Sequence, residues 1–367
     1  MLLRAPVGAP QGSLQESTWE REQRVLDLVL RHGWNATAFQ TIEDGYHYFF
    51  HGDAYVAYVD TGTAWVAAGA PVASDENLRS ITQAFADAAR TANRRCCFFG
   101  VERRLLDSAS VALRALPIGD QAVWDPRQWN AMIAGNTRLR GQHRRTSAKG
   151  VLVRCLGQGE FETNAVLRTA IHDLENRWLA SHRMPTMGFL VRLGDSAFSE
   201  HRRCFVAEQS GRLVGLAYVL PVPRREGWFI EHLVRSPDAP NGTMELVVDK
   251  VLRWAAAQGS PWLSLGLAPL SGDVPLPLRI ARKRLAFLYN FAGLHHFKAK
   301  LCPSEWIPLH VAYPHSQGPV MTVIDVLAAF AQNRGHGGKR LPAKDYALPL
   351  GDRRLEGDAS SQGSPSA

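Results

Sequence analysis

Two carboxylates, Glu231 and Asp238, flank the end of an apolar stretch, Trp228-Phe229-Ile230 and Leu233, and the loop Arg235-Ser236-Pro237-Asp238-Ala239-Pro240-Asn241-Gly242 that follows it. A carboxylate at a strand end can take a proton from a hydroxyl or anchor an ammonium. Glu231 is the candidate for either task, with Asp238 a second acid able to share it. A structural use competes, because Glu231 could simply pair with Arg235. Asn241, Gly242 and Thr243 open the next helix, where main-chain N–H groups and the dipole favour an anion. Asn at such a place also serves as a plain N-cap. Further on, no acid occurs between Asp273 and Glu305, while Arg279, Arg282, Lys283, Arg284, His295, His296, Lys298 and Lys300 do. A charge run is by default a solvated face. Here Phe287, Phe291 and Phe297 interleave with it, and that favours a phosphate-bearing ligand, either a nucleic-acid backbone or a lipid headgroup. His232 and the His295-His296 pair could act as bases, but isolated histidines are more often structural. No Ser-His-Asp order or Gly-x-Ser-x-Gly elbow supports a covalent nucleophile.

The elements that must hold these residues follow from periodicity. Trp228 to Leu233 reads as a strand, and Ser236 to Gly242 as a turn. Met244, Leu246, Val247, Val248, Val251, Leu252 and Trp254 recur at helical spacing until Gly259-Ser260-Pro261. A second strand, Trp262 to Leu267, ends at a polar loop containing Ser271 and Gly272, so two polar loops sit at consecutive strand ends. Upstream, Glu20 to His32 reads as a helix. Tyr46–Phe50, Ala54–Asp60 and Ala64–Ala68 read as strands, Ser74 starts a helix with Leu78, Ile81 and Phe85, and Cys96–Val101 is a further strand. The order strand, Pro-containing loop, helix, turn, strand thus occurs twice, at residues 64–102 and 227–268, as expected of a duplicated α/β unit. Thr163 to Leu179 reads as a helix burying Val166, Leu167, Ile171, Leu174 and Trp178. Phe205–Glu208 and Leu213–Val222 form a hairpin, and Val320–Phe330 a last apolar helix. The expected organisation is a mobile lead (1–17), an N-terminal domain (18–125), a basic helical linker (126–160) and a C-terminal domain (161–332). A tail (333–367) rich in Gly, Ser and charge is expected to be disordered.

With 367 residues the chain can fill two ordinary cores. A net charge of +8 suits an anionic partner, nucleic acid or an acidic membrane surface, as well as it suits a merely soluble basic protein. The five cysteines lack zinc-ligand spacing and read as free thiols of a reducing compartment, and no metal site is expected. No run of 18 or more apolar residues occurs, so contact with a bilayer would be peripheral.

The segments SPDAPNGTMEL, LSLGLAPLSG and NFAGLHHFKAKLCPSEW resemble the cytosolic domain of the phosphatidylglycerol lysyltransferase (multiple peptide resistance factor, DUF2156) family over roughly residues 20–330. The resemblance implies an α/β fold of two tandem GNAT-like domains, each a mixed sheet flanked by helices. It also implies transfer of an amino acid from aminoacyl-tRNA to a lipid hydroxyl by direct attack on the aminoacyl ester, with no cofactor beyond that co-substrate. The implied partners are aminoacyl-tRNA, phosphatidylglycerol and a separate membrane flippase, at the inner face of the plasma membrane. Lys298 and Lys300 take phosphate- or carbonyl-facing roles in this frame, and Arg235, Arg282, Lys283, His295 and Glu305 join the binding set. Two departures stand out: His295 replaces an expected Arg, and Met187 an expected Glu, which leaves lysyl and alanyl both open as donors. An ordinary GNAT enzyme wraps a CoA pyrophosphate with a Gly-rich loop. The loop here has two prolines, an acid and one glycine, which disfavours CoA. Transfer to a small soluble hydroxyl, and a non-catalytic module binding tRNA or anionic lipid, remain alternatives.

Overall fold

In the computed structural model the described residues are 18–43, 45–108, 113–181, 189, 199–269 and 291–332. The strands are β1 (His47–Phe50), β2 (Tyr55–Asp60), β3 (Ala64–Ala68), β4 (Arg95–Val101), β5 (Leu113–Trp124), β6 (Val151–Cys155), β7 (Arg203–Gln209), β8 (Arg212–Val222), β9 (Gly227–Arg235), β10 (Trp262–Pro269) and β11 (Glu305–Pro314). The helices are α1 (Thr18–His32), α2 (Asp75–Thr91), α3 (Arg103–Ser108), α4 (Trp129–Gly135), α5 (Thr137–Ala148), α6 (Glu160–Thr163), α7 (Ala165–Ser181), α8 (Thr243–Ala257), α9 (Phe291–Lys300) and α10 (Pro319–Gln332).

All eleven strands join one mixed sheet, in the order β1-β2-β3-β4-β11-β5-β10-β9-β8-β7-β6. The two echoed stretches are its two parallel crossovers: β3–α2–β4, with β3 parallel to β4, and β9–α8–β10, with β9 parallel to β10. The halves then exchange their last strands. β5 leaves the first half to pair with β10, β11 returns to pair with β4, and β5 and β11 pair with each other at the centre. Each half therefore completes the other's sheet. The stretch 126–160, expected as a linker, holds α4, α5 and the edge strand β6, which is zipped to β7.

α8 is buried nearly all round, with Val247, Val248, Val251, Leu252 and Ala255 fully enclosed. At about 1.5–3 kcal/mol for each large apolar side chain removed from water, such a helix is fixed by packing rather than by propensity. Its acids must then be paired. Asp249 accepts from Trp129 Nε1 and Arg253 Nε, each at 2.9 Å, and Glu245 accepts from Lys300 Nζ at 2.6 Å. In α7, Leu167, Ile171 and Leu174 are buried as expected, but Val166 faces solvent, one position off the apolar stripe.

Two local departures shape the region of interest. Pairing of β9 with β10 stops after Phe229–Ser264, so β9 continues along β8 alone and β10 along β5 alone. The β8–β9 register also skips Glu231, since Tyr218 faces His232 and Val219 faces Ile230. Glu231 is thus the extra residue of a β-bulge, a device that re-aims a side chain.

Candidate functional site

The bulge sends the Glu231 side chain into a buried polar cluster, where it is 2% exposed. Its carboxylate accepts from Gln40 Nε2 at 2.8 Å and from Arg202 Nη1 at 3.3 Å, with His232 Nε2 at 3.7 Å. Arg202 reaches Glu43 with its other terminal nitrogen at 3.0 Å, so one guanidinium serves two acids. Burial raises both carboxyls above the ordinary glutamate value. For Glu43 the nearby Glu231 adds to the rise, while Arg202 opposes it for both. Arg202 Nε is buried without an acceptor among the described residues. The cluster therefore contains a carboxylate poised to hold a proton and a donor not yet spent.

Asp238 does not join it. It lies on the exposed loop, where the Ser236 hydroxyl, and then Arg212, hold its carboxyl below the ordinary aspartate range. Arg235, the partner expected for Glu231, instead braces the loop through Ala239 O at 2.5 Å and Asn241 Oδ1 at 3.4 Å. The N-cap of α8 is Gly242 rather than Asn241. Its φ of 98° suits glycine, and a Cβ there would collide with Thr146 and Gln142 of α5. Thr243 is fully buried, its hydroxyl donating to Pro240 O at 2.7 Å.

Lys298, expected to face a substrate phosphate or carbonyl, instead turns inward. Its ammonium donates to the main-chain carbonyls of Leu265, Gly266 and Leu267 at 2.8, 2.8 and 2.9 Å. Successive carbonyls of a regular strand do not converge on one point. The left-handed Gly266, with φ 68°, makes this possible, and a Cβ there would lie 2.8 Å from the Phe229 ring. Burial lowers the Lys298 pKa to about 7, while the three carbonyls favour its charged form. Lys298 thus pins α9 to β10 where β10 leaves β9. Lys298→Met should cost about 2–4 kcal/mol, because buried carbonyls lose their donor. A fall in Tm checks this, and an unchanged Tm would contradict it.

A second, surface-lying feature is basic. Arg138, Gln142, Arg145, Lys149, Asn241 and Lys300 line a cleft of about 270 Å³ beside the start of α8. An adjoining cleft of about 330 Å³ shares Arg138 and Lys300 and adds His296 and Cys302. Lys300, paired to Glu245, and His296 therefore come together with the basic helix α5. His295 instead stacks on Trp306, ring centroids 4.6 Å apart, and Glu305 stands exposed at the start of β11. Ser271, Gly272, Arg282 and Lys283 lie outside the described residues.

Residues 26–313 match the family model "Phosphatidylglycerol lysyltransferase, C-terminal". The chain belongs to this family. It is 25% identical over 276 residues to LysX of Mycolicibacterium gilvum, a lysylphosphatidylglycerol biosynthesis bifunctional protein, covering 69% of this chain and 24% of that one. It is 25% identical over 174 residues to the phosphatidylglycerol lysyltransferase of Bacillus subtilis, covering 45% and 20%. The chain thus spans a quarter or less of the length of these curated relatives. Among solved structures, L-PGS from Bacillus licheniformis superposes with TM-score 0.73 at 20% identity, over 85% of this chain and 96% of that one. The C-terminal (DUF2156) domain of a protein described as a lysylphosphatidylglycerol synthetase, from Agrobacterium fabrum, gives 0.70 at 24%, over 85% and 96%. These likenesses establish the phosphatidylglycerol lysyltransferase C-terminal fold for the interleaved sheet.

The family-matched segment contains both the buried Glu231 cluster and the basic cleft. Sequence reasoning found Glu231 but missed Gln40, Glu43 and Arg202, which reach it from 191 residues away and from the far side of α7. Arg138, Arg145 and Lys149 were legible only as an acid-free basic run.

Proposed function

We propose that this chain is an aminoacyl-tRNA-dependent aminoacyltransferase that moves a lysyl or alanyl group to the headgroup hydroxyl of phosphatidylglycerol. The observation that carries this reading is the placement of Glu231. It is a bulged, buried carboxylate with a raised proton affinity, at the point where β9 and β10 cease to pair, inside a segment of lysyltransferase type. Glu231 takes the proton of the acceptor hydroxyl, whose oxygen forms a bond to the aminoacyl carbonyl carbon. The unspent Arg202 Nε–H is a donor for the developing oxyanion. The bond from that carbon to the tRNA ribose oxygen then breaks, and the proton passes from Glu231 to the departing oxygen. Base and acid are the same group, and no covalent enzyme intermediate is needed.

The basic cleft of Arg138, Arg145, Lys149 and Lys300 supplies charge for the phosphates of the tRNA end. Its neighbour, the loop after β9, is a poor cradle for CoA. The N–H groups of Ser236, Ala239 and Thr243 are bonded within the protein, and Pro237 and Pro240 have none. The test is a donor comparison: lysyl-tRNA, alanyl-tRNA or acetyl-CoA, each with phosphatidylglycerol vesicles. Product from an aminoacyl-tRNA alone supports the proposal, whereas product from acetyl-CoA alone overturns it.

The raised carboxyl also sets a pH dependence. Glu231 works as a base only when ionised, so turnover should fall on acidification through a midpoint above the ordinary glutamate value of 4.5. The stability sign is opposite. A carboxyl whose folded pKa is raised contributes stability at and below its unfolded value, and loses that contribution as pH climbs through the folded one. Acid should therefore silence transfer reversibly, without unfolding this cluster. A pH–rate profile on the enzyme returned to neutral pH checks both points.

A further inference from the structure

Helix α10 closes the apolar cluster around Leu309, Val311 and Tyr313 with Val326, Ala329 and Phe330, and its one acid, Asp325, is spent on Arg95 at 2.6 Å. Its outer surface is unusual. Every described exposed position is apolar: Pro319, Val320, Met321, Ile324, Leu327 and Ala331. Val320 is 68% exposed, Met321 42%, and Ile324 and Leu327 49% each. A helix facing water carries charged or polar side chains there, because an apolar stripe left in water gains nothing from the fold. The sequence that follows, residues 333–344 (NRGHGGKRLPAK), holds Arg334, Lys339, Arg340 and Lys344 and no acid. An apolar helix face followed directly by a polybasic segment is the pairing that an anionic bilayer surface rewards, by burial of the one and attraction of the other.

The helix also stands near the proposed chemistry. Phe330 contacts Phe189 with ring centroids 5.0 Å apart, and Phe189 contacts Tyr46 at 6.1 Å. Tyr46 lies three residues beyond Glu43, the acid that shares Arg202 with Glu231. A continuous aromatic path therefore runs from α10 towards the carboxylate cluster.

We propose that the exposed face of α10, together with the basic residues that follow it, docks this protein onto an anionic lipid surface. The proposal deepens the reading of phosphatidylglycerol as acceptor and rests on it for its purpose, though not for its test. Flotation with vesicles of phosphatidylcholine, with or without phosphatidylglycerol, should show binding to the anionic vesicles only. The I324E/L327E variant should bind them at least about tenfold more weakly. K339E/R340E should weaken binding too and reduce its sensitivity to ionic strength. Both variants touch only exposed or following residues, and near-UV circular dichroism should be unchanged. Transfer to vesicle lipid should fall in I324E/L327E, while transfer to a water-soluble short-chain phosphatidylglycerol should match the parent. Vesicle binding is read without any transfer, so failure of the transferase reading leaves this measurement intact. Parent-like binding by I324E/L327E, or no binding by the parent protein, would overturn the proposal. So would a dimer that the same substitutions convert to monomer, which would give this face to a second copy.

Discussion

Glu231→Gln is expected to lower aminoacyl transfer by about 10²–10⁴-fold, the range general-base removal produces. The amide keeps the size of the side chain and can still accept from Arg202 and Gln40, so the cluster should stay folded. It cannot take a proton. Affinity for tRNA, measured by filter binding, should change little, because the basic cleft is built by α5, α9 and the loop before α8. Loss of turnover with retained binding also separates an enzyme from a module that merely binds. If Glu231→Gln transfers at the parent rate, Glu231 is a structural acid and the proposed base is wrong. The acid limb of the pH–rate profile should vanish in the residual activity of this variant, an effect that a structural role would not produce.

The second large effect is on stability. Arg225, at the end of β8, lies between the rings of Trp34 and Trp262, at 4.4 and 4.6 Å, and donates to the Trp34 carbonyl at 3.0 Å. It also pairs with Glu102, which follows β4, and the two side chains are only 10% and 11% exposed. Glu102 accepts in turn from Gln121 of β5 at 2.8 Å. This one cation therefore ties elements of both halves together. Arg225→Ala would leave Glu102 charged, buried and without its cation, at a cost of about 3–5 kcal/mol. The expected fall in Tm is about 10 °C. The double variant Arg225→Met with Glu102→Gln should recover much of that loss, since it removes both desolvated charges. A single variant as stable as the parent would show that the pair contributes little.

The α/β units were legible because each crossover carries its own punctuation. Ser74 precedes α2, Gly259-Ser260-Pro261 follows α8, and apolar residues recur at helical spacing between strand-forming runs. The exchange of β5 and β11 was not legible. β5 contains Pro117, Gly119 and Asp120, and β11 contains Pro308 and His310, so neither shows the alternation of a half-buried strand. Their partners, moreover, lie in the opposite half, and pairing over such distances leaves no local trace. The site divides in the same way. A lone acid in an apolar strand marks Glu231 as costly to bury and so worth a question. Gln40, Glu43 and Arg202 are ordinary polar residues until the fold brings them to it. Lys298 shows the converse: its place in a basic run suggested a ligand, but the bend at Gly266 gives it three main-chain acceptors instead.

The central claim is that an aminoacyl ester on tRNA is the donor and a phosphatidylglycerol hydroxyl the acceptor. The most direct measurement is mass spectrometry of the lipid fraction after incubating the purified protein with a pool of charged tRNAs and phosphatidylglycerol vesicles. The account predicts a lipid heavier by one lysyl or alanyl residue, absent when the tRNA is first digested with RNase and absent with Glu231→Gln. An unmodified lipid fraction, with the charged tRNA still intact, would contradict it.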